Sequence, residues 1–147
     1  MKATYSLVAA VLVSLSQAIQ LTDKSYSPCH EANQLKSINI TPCDKEPCTF
    51  TKGTSVDIVM TGTSNQEVDQ VNLSMDVLLG QWVPILDEAV CGTSIECPVQ
   101  ASSEWSMKYT YEVDNRLPDG ETNTRWKLVG NSGSDEVACA YIQLEVV

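Results

Sequence analysis

The six cysteines are the residues of this chain whose type and spacing most directly predict chemistry. They are Cys29, Cys43, Cys48, Cys91, Cys97 and Cys139. Their spacings differ from the paired Cys-x-x-Cys pattern of zinc sites, and the single histidine is His30, so we expect neither a metal nor any other cofactor. In a secreted protein, an even number of cysteines is typical of disulfides formed in an oxidising compartment.

The spacing of the cysteines favours one pairing without excluding the others. Cys43 lies close to Cys48, and Cys91 lies close to Cys97, so each pair can close a local loop. The remaining two cysteines would then tie the two ends of the domain together. Closing that long loop would restrain the unfolded chain by about 4.7 kcal/mol.

Residues 1–18 have the composition of a signal peptide. Lys2 is followed by an apolar stretch over residues 5–15, and small residues at Ser16 and Ala18 suit a cleavage site. The alternative is a membrane anchor, but the apolar stretch is shorter than a bilayer span requires. We therefore expect one secreted domain over residues 19–147, with lysosomal delivery as a second destination.

The charge balance argues against nucleic acid as a partner. The chain has 19 acidic and 9 basic residues, a formal charge of −10. A surface this acidic repels phosphate backbones. We expect a monomer that moves freely in a fluid.

The chain lacks the residue combinations of the common nucleophilic enzymes. His30 follows Cys29, but an oxidised cysteine cannot act as a nucleophile. No Gly-x-Ser-x-Gly motif is present. Asp87 and Glu88 could form a carboxylate pair, but we interpret them as solvated charges on a loop. No catalytic residue is assigned, and we do not expect an enzyme.

Alternation of apolar and polar residues dominates the chain from residue 38 onward. Six segments show it: 38–40, 56–60, 71–79, 105–113, 126–128 and 138–146. This period of two is typical of strands that bury one face and expose the other, as antiparallel sheets do. Turn residues separate the segments, and no helical period appears. We predict an all-β sandwich of two antiparallel sheets with six or seven strands.

Two sequons lie within the predicted strands. Asn39 and Asn72 each begin an Asn-x-Ser/Thr motif. Both occupy the polar positions of their segments, so both should face solvent. Glycosylation of Asn39 and Asn72 is therefore expected in a secreted protein.

Several landmarks together resemble a known family. In order they are Cys29, the segment 38–43 ending in Thr-Pro-Cys, Glu46-Pro47-Cys48, Lys52-Gly53, Leu78-Leu79-Gly80, Val83-Pro84-Ile85, Cys91, Cys97-Pro98, Trp126 and Cys139. This arrangement resembles the ML lipid-recognition domain, and within it the branch of the Niemann–Pick type C secreted sterol carriers and the mite group-two allergens. The resemblance covers the whole of residues 19–147.

The resemblance implies a fold, a disulfide pairing and a ligand. It implies an immunoglobulin-like sandwich of two antiparallel sheets that enclose an apolar ligand cavity. It implies the pairing Cys29–Cys139, Cys43–Cys48 and Cys91–Cys97. The mouth of the cavity would lie at Val83, Val113 and Leu117, of which only Val113 matches the sterol-carrier branch. The mouth is therefore more aliphatic than in that branch, and cholesterol is one candidate ligand among others.

The candidate ligand-binding residues combine these mouth positions with inward-facing residues of the strands. Methionine side chains adapt to variable contents, and aromatic side chains with polar tips suit a pocket rim. The set is Met60, Met75, Val77, Val83, Ile85, Met107, Tyr109, Val113, Leu117 and Trp126. From the residues alone, each of these could also be ordinary core.

The resulting hypothesis is a carrier of a small apolar lipid such as a sterol or fatty acid. A membrane or a lipid transporter would be its transient partner. Alternatives are a carrier of hydrophobic odorants, a plain adhesion domain, and an innate-immune module that recognises glycolipids. For the last, the basic residues Lys108, Arg116, Arg125 and Lys127 would meet phosphate groups.

Overall fold

The computed structural model, which describes residues 16–30, 35–133 and 135–147, contains two β-sheets whose inner faces share one apolar core. The strands are β1 (Ile19–Gln20), β2 (Tyr26–Pro28), β3 (Leu35–Thr41), β4 (Cys48–Phe50), β5 (Ser55–Thr63), β6 (Val71–Leu78), β7 (Trp82–Ala89), β8 (Glu104–Glu112), β9 (Gly120–Gly130) and β10 (Asp135–Val146). A 3-10 turn, Asn131–Gly133, joins the last two.

One sheet has four strands in the order β1-β3-β5-β8. The other has six, in the order β2-β10-β9-β6-β7, with β4 also paired to β10. All ladders are antiparallel except that between β4 and β10. The predicted all-β sandwich is therefore confirmed.

The predicted number of strands was too low. The structure adds β1, β2, β4 and β7 to the six segments that alternation identified. The first three are only two or three residues long, too short to show a period. Strand β7 contains no fully buried residue because it lies at an edge, so its sequence does not alternate clearly.

Alternation correctly predicts the inner face of the long strands. On β8, Trp105, Met107 and Tyr111 are buried, whereas Ser106 and Lys108 between them are exposed. Strand β6 keeps this rule, because Met75 and Val77 face inward and Asp76 is buried on the outer face beside Arg125. The bulge opposite Met75 and Asp76 lies in β7, where Ile85 is the extra residue. A bulge of this kind changes the direction of the side chains that follow it.

Three disulfides link the elements in the pairing that the resemblance implied. Cys29–Cys139 joins the end of β2 to β10, over a separation of 110 residues. Cys43–Cys48 connects the end of β3 in one sheet to β4 in the other. Cys91–Cys97 closes the loop between β7 and β8. Two of the three bonds, Cys43–Cys48 and Cys91–Cys97, therefore lie where the chain crosses from one sheet to the other.

The predicted signal peptide lies outside the described residues for positions 1–15, and positions 16–18 form no strand. Among the described residues, no helix is long and apolar enough to cross a membrane.

Candidate ligand-binding site

Strands β7 and β8 are edge strands of the two sheets, and a side-chain hydrogen bond between Tyr109 and Glu88 joins them. Within the described residues, each of these strands pairs along its length with one neighbour, β6 and β5 respectively. The 91–97 disulfide loop carries the chain from one edge to the other, and its Ser94 carbonyl accepts a hydrogen bond from the Lys108 amide at 2.9 Å. We call the gap between these two edge strands the mouth.

The side chains of β7 that face the core follow from its register with β6. Val83 lies opposite the buried Val77, and Glu88 lies opposite the buried Leu73. Directly opposite residues in an antiparallel pair project from the same face. Val83 and Glu88 therefore both lie on the inner side of β7. The apolar Val83 is half-buried, whereas the acidic Glu88 is exposed at the outer end of the mouth.

Tyr109 connects the two edges at the mouth. It occupies an inward position on β8, between Met107 and Tyr111, and is half-buried. Its hydroxyl donates a hydrogen bond to Oε2 of Glu88 at 2.7 Å. Burial raises the pKa of Tyr109 far above its usual range, and the bond to Glu88 raises it further. Tyr109 therefore stays protonated, and able to donate, at any physiological pH.

Arg116 makes a second connection across the mouth. Its Nη2 donates to the Ile85 carbonyl of β7 at 3.0 Å and to Oδ2 of Asp114 at 2.6 Å. The Asp114 carboxylate also accepts a bond from the Arg116 backbone amide, at 2.7 Å. Hydrogen bonds from Arg116 hold the pKa of Asp114 below its usual range. Asp114 thus neutralises the guanidinium that spans the mouth.

The ten predicted ligand residues divide into an interior group and an edge group. The interior group is fully buried and consists of Met60, Met75, Val77, Met107, Val113, Leu117 and Trp126. The edge group is half-buried, packs against the same core and consists of Val83, Ile85 and Tyr109. All ten thus belong to one continuous apolar region.

Val113 and Leu117, predicted to line the mouth, are buried residues of the core. Both were expected at the mouth, but they are only 2% and 1% exposed. Val83 alone of the three predicted mouth residues is partly accessible. In this chain the loop after β8 therefore adds to the interior, and Arg116 takes the outer position.

Three methionines on three strands belong to the same buried core. Met60 on β5 lies directly across from Met107 on β8. Met75 on β6 lies directly across from Trp126 on β9. Thioether side chains are flexible and polarisable, so this region can adjust its shape to an apolar guest at low cost.

Aromatic side chains fill the part of the interior beside Met75. The ring of Tyr111 meets Trp126 edge-on, with centroids 5.5 Å apart, and lies 6.3 Å from Phe50. The Trp126 Nε1 donates to Thr124 Oγ1 at 2.9 Å, and that hydroxyl donates to the Ile142 carbonyl at 2.9 Å. These polar groups are satisfied internally, so this part of the interior offers a guest only apolar contacts.

Sequence reasoning missed Glu88 as a residue of the site. Asp87 and Glu88 lie within strand β7, so the predicted loop was wrong, but both side chains are exposed, as expected of solvated charges. Asp87 does point away from the core, where its carboxylate accepts a bond from Asn72 Nδ2 at 3.1 Å. The only available signal was the apolar run Val83–Leu86 just before the acidic pair, which could have indicated a strand.

The four basic residues considered as a phosphate-binding rim each have an aspartate partner. Lys108 pairs with Asp57, Arg116 with Asp114, and both Arg125 and Lys127 with Asp76. Their charges are therefore largely neutralised within the protein.

Comparison with known proteins gives the same fold and family. The ML domain model matches residues 23–146. The NPC intracellular cholesterol transporter 2 of Mus musculus is 30% identical over 122 residues, covering 80% of this chain and 82% of the mouse protein. The mite group 2 allergen Pso o 2 of Psoroptes ovis is 26% identical over 129 residues, covering 84% of this chain and 87% of the allergen.

A solved structure agrees with these matches. The crystal structure of a Niemann-Pick type C2 protein from Japanese carpenter ant superposes with a TM-score of 0.72 at 18% identity, covering 83% of this chain and 98% of the ant protein. Sheet topology, disulfide pairing and sequence landmarks thus all lead to one assignment. This chain belongs to the ML domain family.

Proposed function

We propose that this protein is a secreted lipid-binding and transfer protein that shields an apolar ligand between its two sheets. One observation carries the proposal: a continuous apolar interior reaches the gap between β7 and β8, where side-chain hydrogen bonds join the two sheets. The name of the mouse relative, a cholesterol transporter, supports the same class of ligand. The ligand would be a sterol, a fatty acid or a similar small lipid.

The energetics suit reversible carriage. A sterol-sized ligand that buries a few hundred Å² of apolar surface gains roughly 10 kcal/mol at about 25 cal/mol per Å². Association costs at least about 4 kcal/mol. The remainder corresponds to an affinity in the micromolar range or tighter. A carrier needs that range, because it must hold its ligand in water and release it at a membrane or to a transporter.

Entry between the sheets would separate apolar side chains that pack together in the core but can leave the backbone ladders intact. Separating the edges of β7 and β8 breaks the Tyr109–Glu88 and Arg116–Ile85 hydrogen bonds while leaving the backbone ladders of both sheets in place. The methionines behind the mouth can then change rotamer to admit the guest. Such transfer involves no covalent chemistry, which agrees with a binding protein that is not an enzyme.

Secretion follows from the leader-like residues 1–18 together with the disulfides. Three bonds account for all six cysteines, as expected of a protein that folds in an oxidising compartment. Asn39 and Asn72 are half-buried on the outer faces of β3 and β6, where a glycan would project away from the core. Glycan processing at Asn39 would decide between extracellular and lysosomal delivery.

A carrier of hydrophobic odorants is a variant of the same function and uses the same interior. A glycolipid-recognition module is less well supported, because the four rim cations are already paired with aspartates. Recognition of a lipid phosphate would require those pairs to break. An adhesion domain would leave unexplained why three strands each place a flexible methionine in the core between the sheets.

The test combines native ligand identification with probe binding. Mass spectrometry of organic extracts of the protein, purified from its natural source, should reveal a bound lipid, and a fluorescent sterol or fatty-acid probe should bind the emptied protein. Met107→Phe enlarges a buried side chain and should abolish probe binding. The matched control Ser106→Phe, which changes the exposed neighbour on the same strand, should not. A folded protein that carries no lipid and binds neither probe would refute the proposal.

A further inference from the structure

Glu88 places an acidic side chain on the otherwise apolar inner face of β7, at the mouth. Among the described residues, the buried inner faces carry apolar side chains, internally bonded threonines and Trp105, whose Nε1 has no hydrogen-bond partner. Glu88 shares its face of β7 with Val83 and yet carries a charge. Because Glu88 is exposed, a ligand end group that lies against it displaces water, which is unfavourable unless the ligand offers the carboxylate a hydrogen bond.

The Glu88 carboxylate has unused capacity to accept hydrogen bonds. Tyr109 donates its one hydroxyl proton to Oε2. No described residue donates to Oε1, and no described basic residue lies within ion-pair distance of the carboxylate. An ionised carboxylate has about four acceptor positions, so a ligand donor can be added without displacing Tyr109.

The charge around the mouth is negative where a ligand's polar end would lie. Arg116 is the cation that reaches β7, but Asp114 binds its guanidinium through both carboxylate oxygens. The charge of Glu88 is therefore not compensated. A ligand carboxylate placed beside it would meet like-charge repulsion, whereas a ligand hydroxyl would find a charged acceptor.

We propose that Glu88, positioned by Tyr109, is the polar subsite of the ligand channel and determines its head-group specificity. It favours an apolar ligand that ends in an uncharged hydrogen-bond donor, such as a hydroxyl, over one that ends in a carboxylate. This inference rests on the proposed function, since it assumes that the apolar tail lies between the sheets. It goes beyond the proposed function by assigning to Glu88 the selection among lipid classes.

The experiment compares two ligands with the same tail. Dodecanol and dodecanoate are titrated at neutral pH and physiological salt against the neutral probe N-phenylnaphthylamine bound to the protein. The measured quantity is the ratio of the two displacement constants. We expect Glu88→Gln to lower the preference for the alcohol about tenfold relative to wild type, which is the effect of one hydrogen bond to a charged group.

Asp87→Asn is the matched control. It removes the same charge from the neighbouring residue, whose side chain points to the outer face. Because Asp87 lies on the opposite face of β7 and cannot contact the ligand, and salt screens its charge within about 8 Å, this variant should leave the preference within about twofold of wild type. Tyr109→Phe should weaken dodecanol binding and leave dodecanoate binding unchanged, because only the alcohol uses the positioned carboxylate.

The possible outcomes distinguish failure of the Glu88 subsite from failure of the proposed carrier function. An unchanged ratio in Glu88→Gln, or an equal shift in Asp87→Asn, would overturn the subsite while leaving the carrier function in place. Equal weakening of both ligands in Tyr109→Phe would overturn the positioning role. Failure of the neutral probe to bind folded wild-type protein would instead refute the proposed function, and the subsite with it. Thermal unfolding of each variant confirms that it is folded.

Discussion

Arg125 and Asp76 form a two-point ion pair on the outer face of the six-stranded sheet. Nε and Nη2 of Arg125 lie 2.9 and 2.6 Å from Oδ2 of Asp76. The guanidinium carbon lies 4.8 Å from the centre of the Trp82 ring, which in turn stacks on Tyr141 at 5.6 Å. Trp82 therefore shields the pair from water and links edge strand β7 to β9 and β10.

Loss of this pair should destabilise the fold more than loss of an exposed pair. Arg125→Ala leaves the buried Asp76 with Lys127 alone, at 3.3 Å, and should cost about 2 kcal/mol of unfolding free energy. Arg116→Ala also removes an aspartate partner, but that guanidinium is largely exposed, so its cost should be much smaller. Urea denaturation of both variants makes the comparison, and equal losses would show that Asp76 is not effectively shielded.

The three disulfides should contribute unequally to stability. Loop-closure entropy predicts a loss of about 4.7 kcal/mol when Cys29 and Cys139 are both replaced by alanine. The corresponding loss for Cys43 and Cys48, which close a short loop, should be about 2 kcal/mol. Denaturation of the two double variants under oxidising conditions tests this order. The opposite order would mean that the cross-link between the sheets matters more than chain entropy.

Gly130 is required by a close approach of two chain segments. A Cβ at this position would lie 2.0 Å from Cγ1 of Val68 and 3.0 Å from the Gln70 carbonyl oxygen. Val68 is fully buried and cannot move freely. Gly130→Ala should therefore cost about 2 kcal/mol. The double variant with Val68→Ala should lose less than the sum of the two single losses, and strict additivity would contradict the contact.

Leu117 should behave as a core residue. Because it is 1% exposed, Leu117→Ala should cost about 3 kcal/mol through lost burial and the cavity left behind. Val83→Ala, at the half-buried edge position, should cost about 1 kcal/mol. Thermal or urea denaturation measures both. A smaller loss at Leu117 than at Val83 would indicate that Leu117 contributes little to the core and lies at the mouth, as the resemblance implied.

Alkaline pH should destabilise the protein through Tyr109. Burial and the Glu88 bond raise the folded-state pKa above the unfolded value of about 10. The stabilisation is therefore fully present below that pH and is lost as the pH rises through the folded-state pKa. Unfolding free energy should fall less steeply above pH 10 in Tyr109→Phe. In Glu88→Gln, phenolate absorbance should show a lower pKa that stays above the ordinary value, because burial is the larger cause.

The pattern of residues alone predicts the parts of this protein that depend on local periodicity. The inner faces of β5, β8, β9 and β10 can be identified from alternation, because successive side chains of any strand point to opposite sides. The disulfide pairing could be proposed because two pairs of cysteines lie close in sequence. The landmarks around these cysteines are specific enough to indicate the family on their own.

The tertiary structure decided which strands lie at the edges and what occupies the mouth. Whether β7 forms, and whether Glu88 or Asp87 faces inward, depends on pairing with β6 and on the bulge opposite Met75 and Asp76. The burial of Leu117 depends on how the loop after β8 folds over the interior. Alternation cannot reveal these features, because a strand's register and edge position are set by its long-range partners.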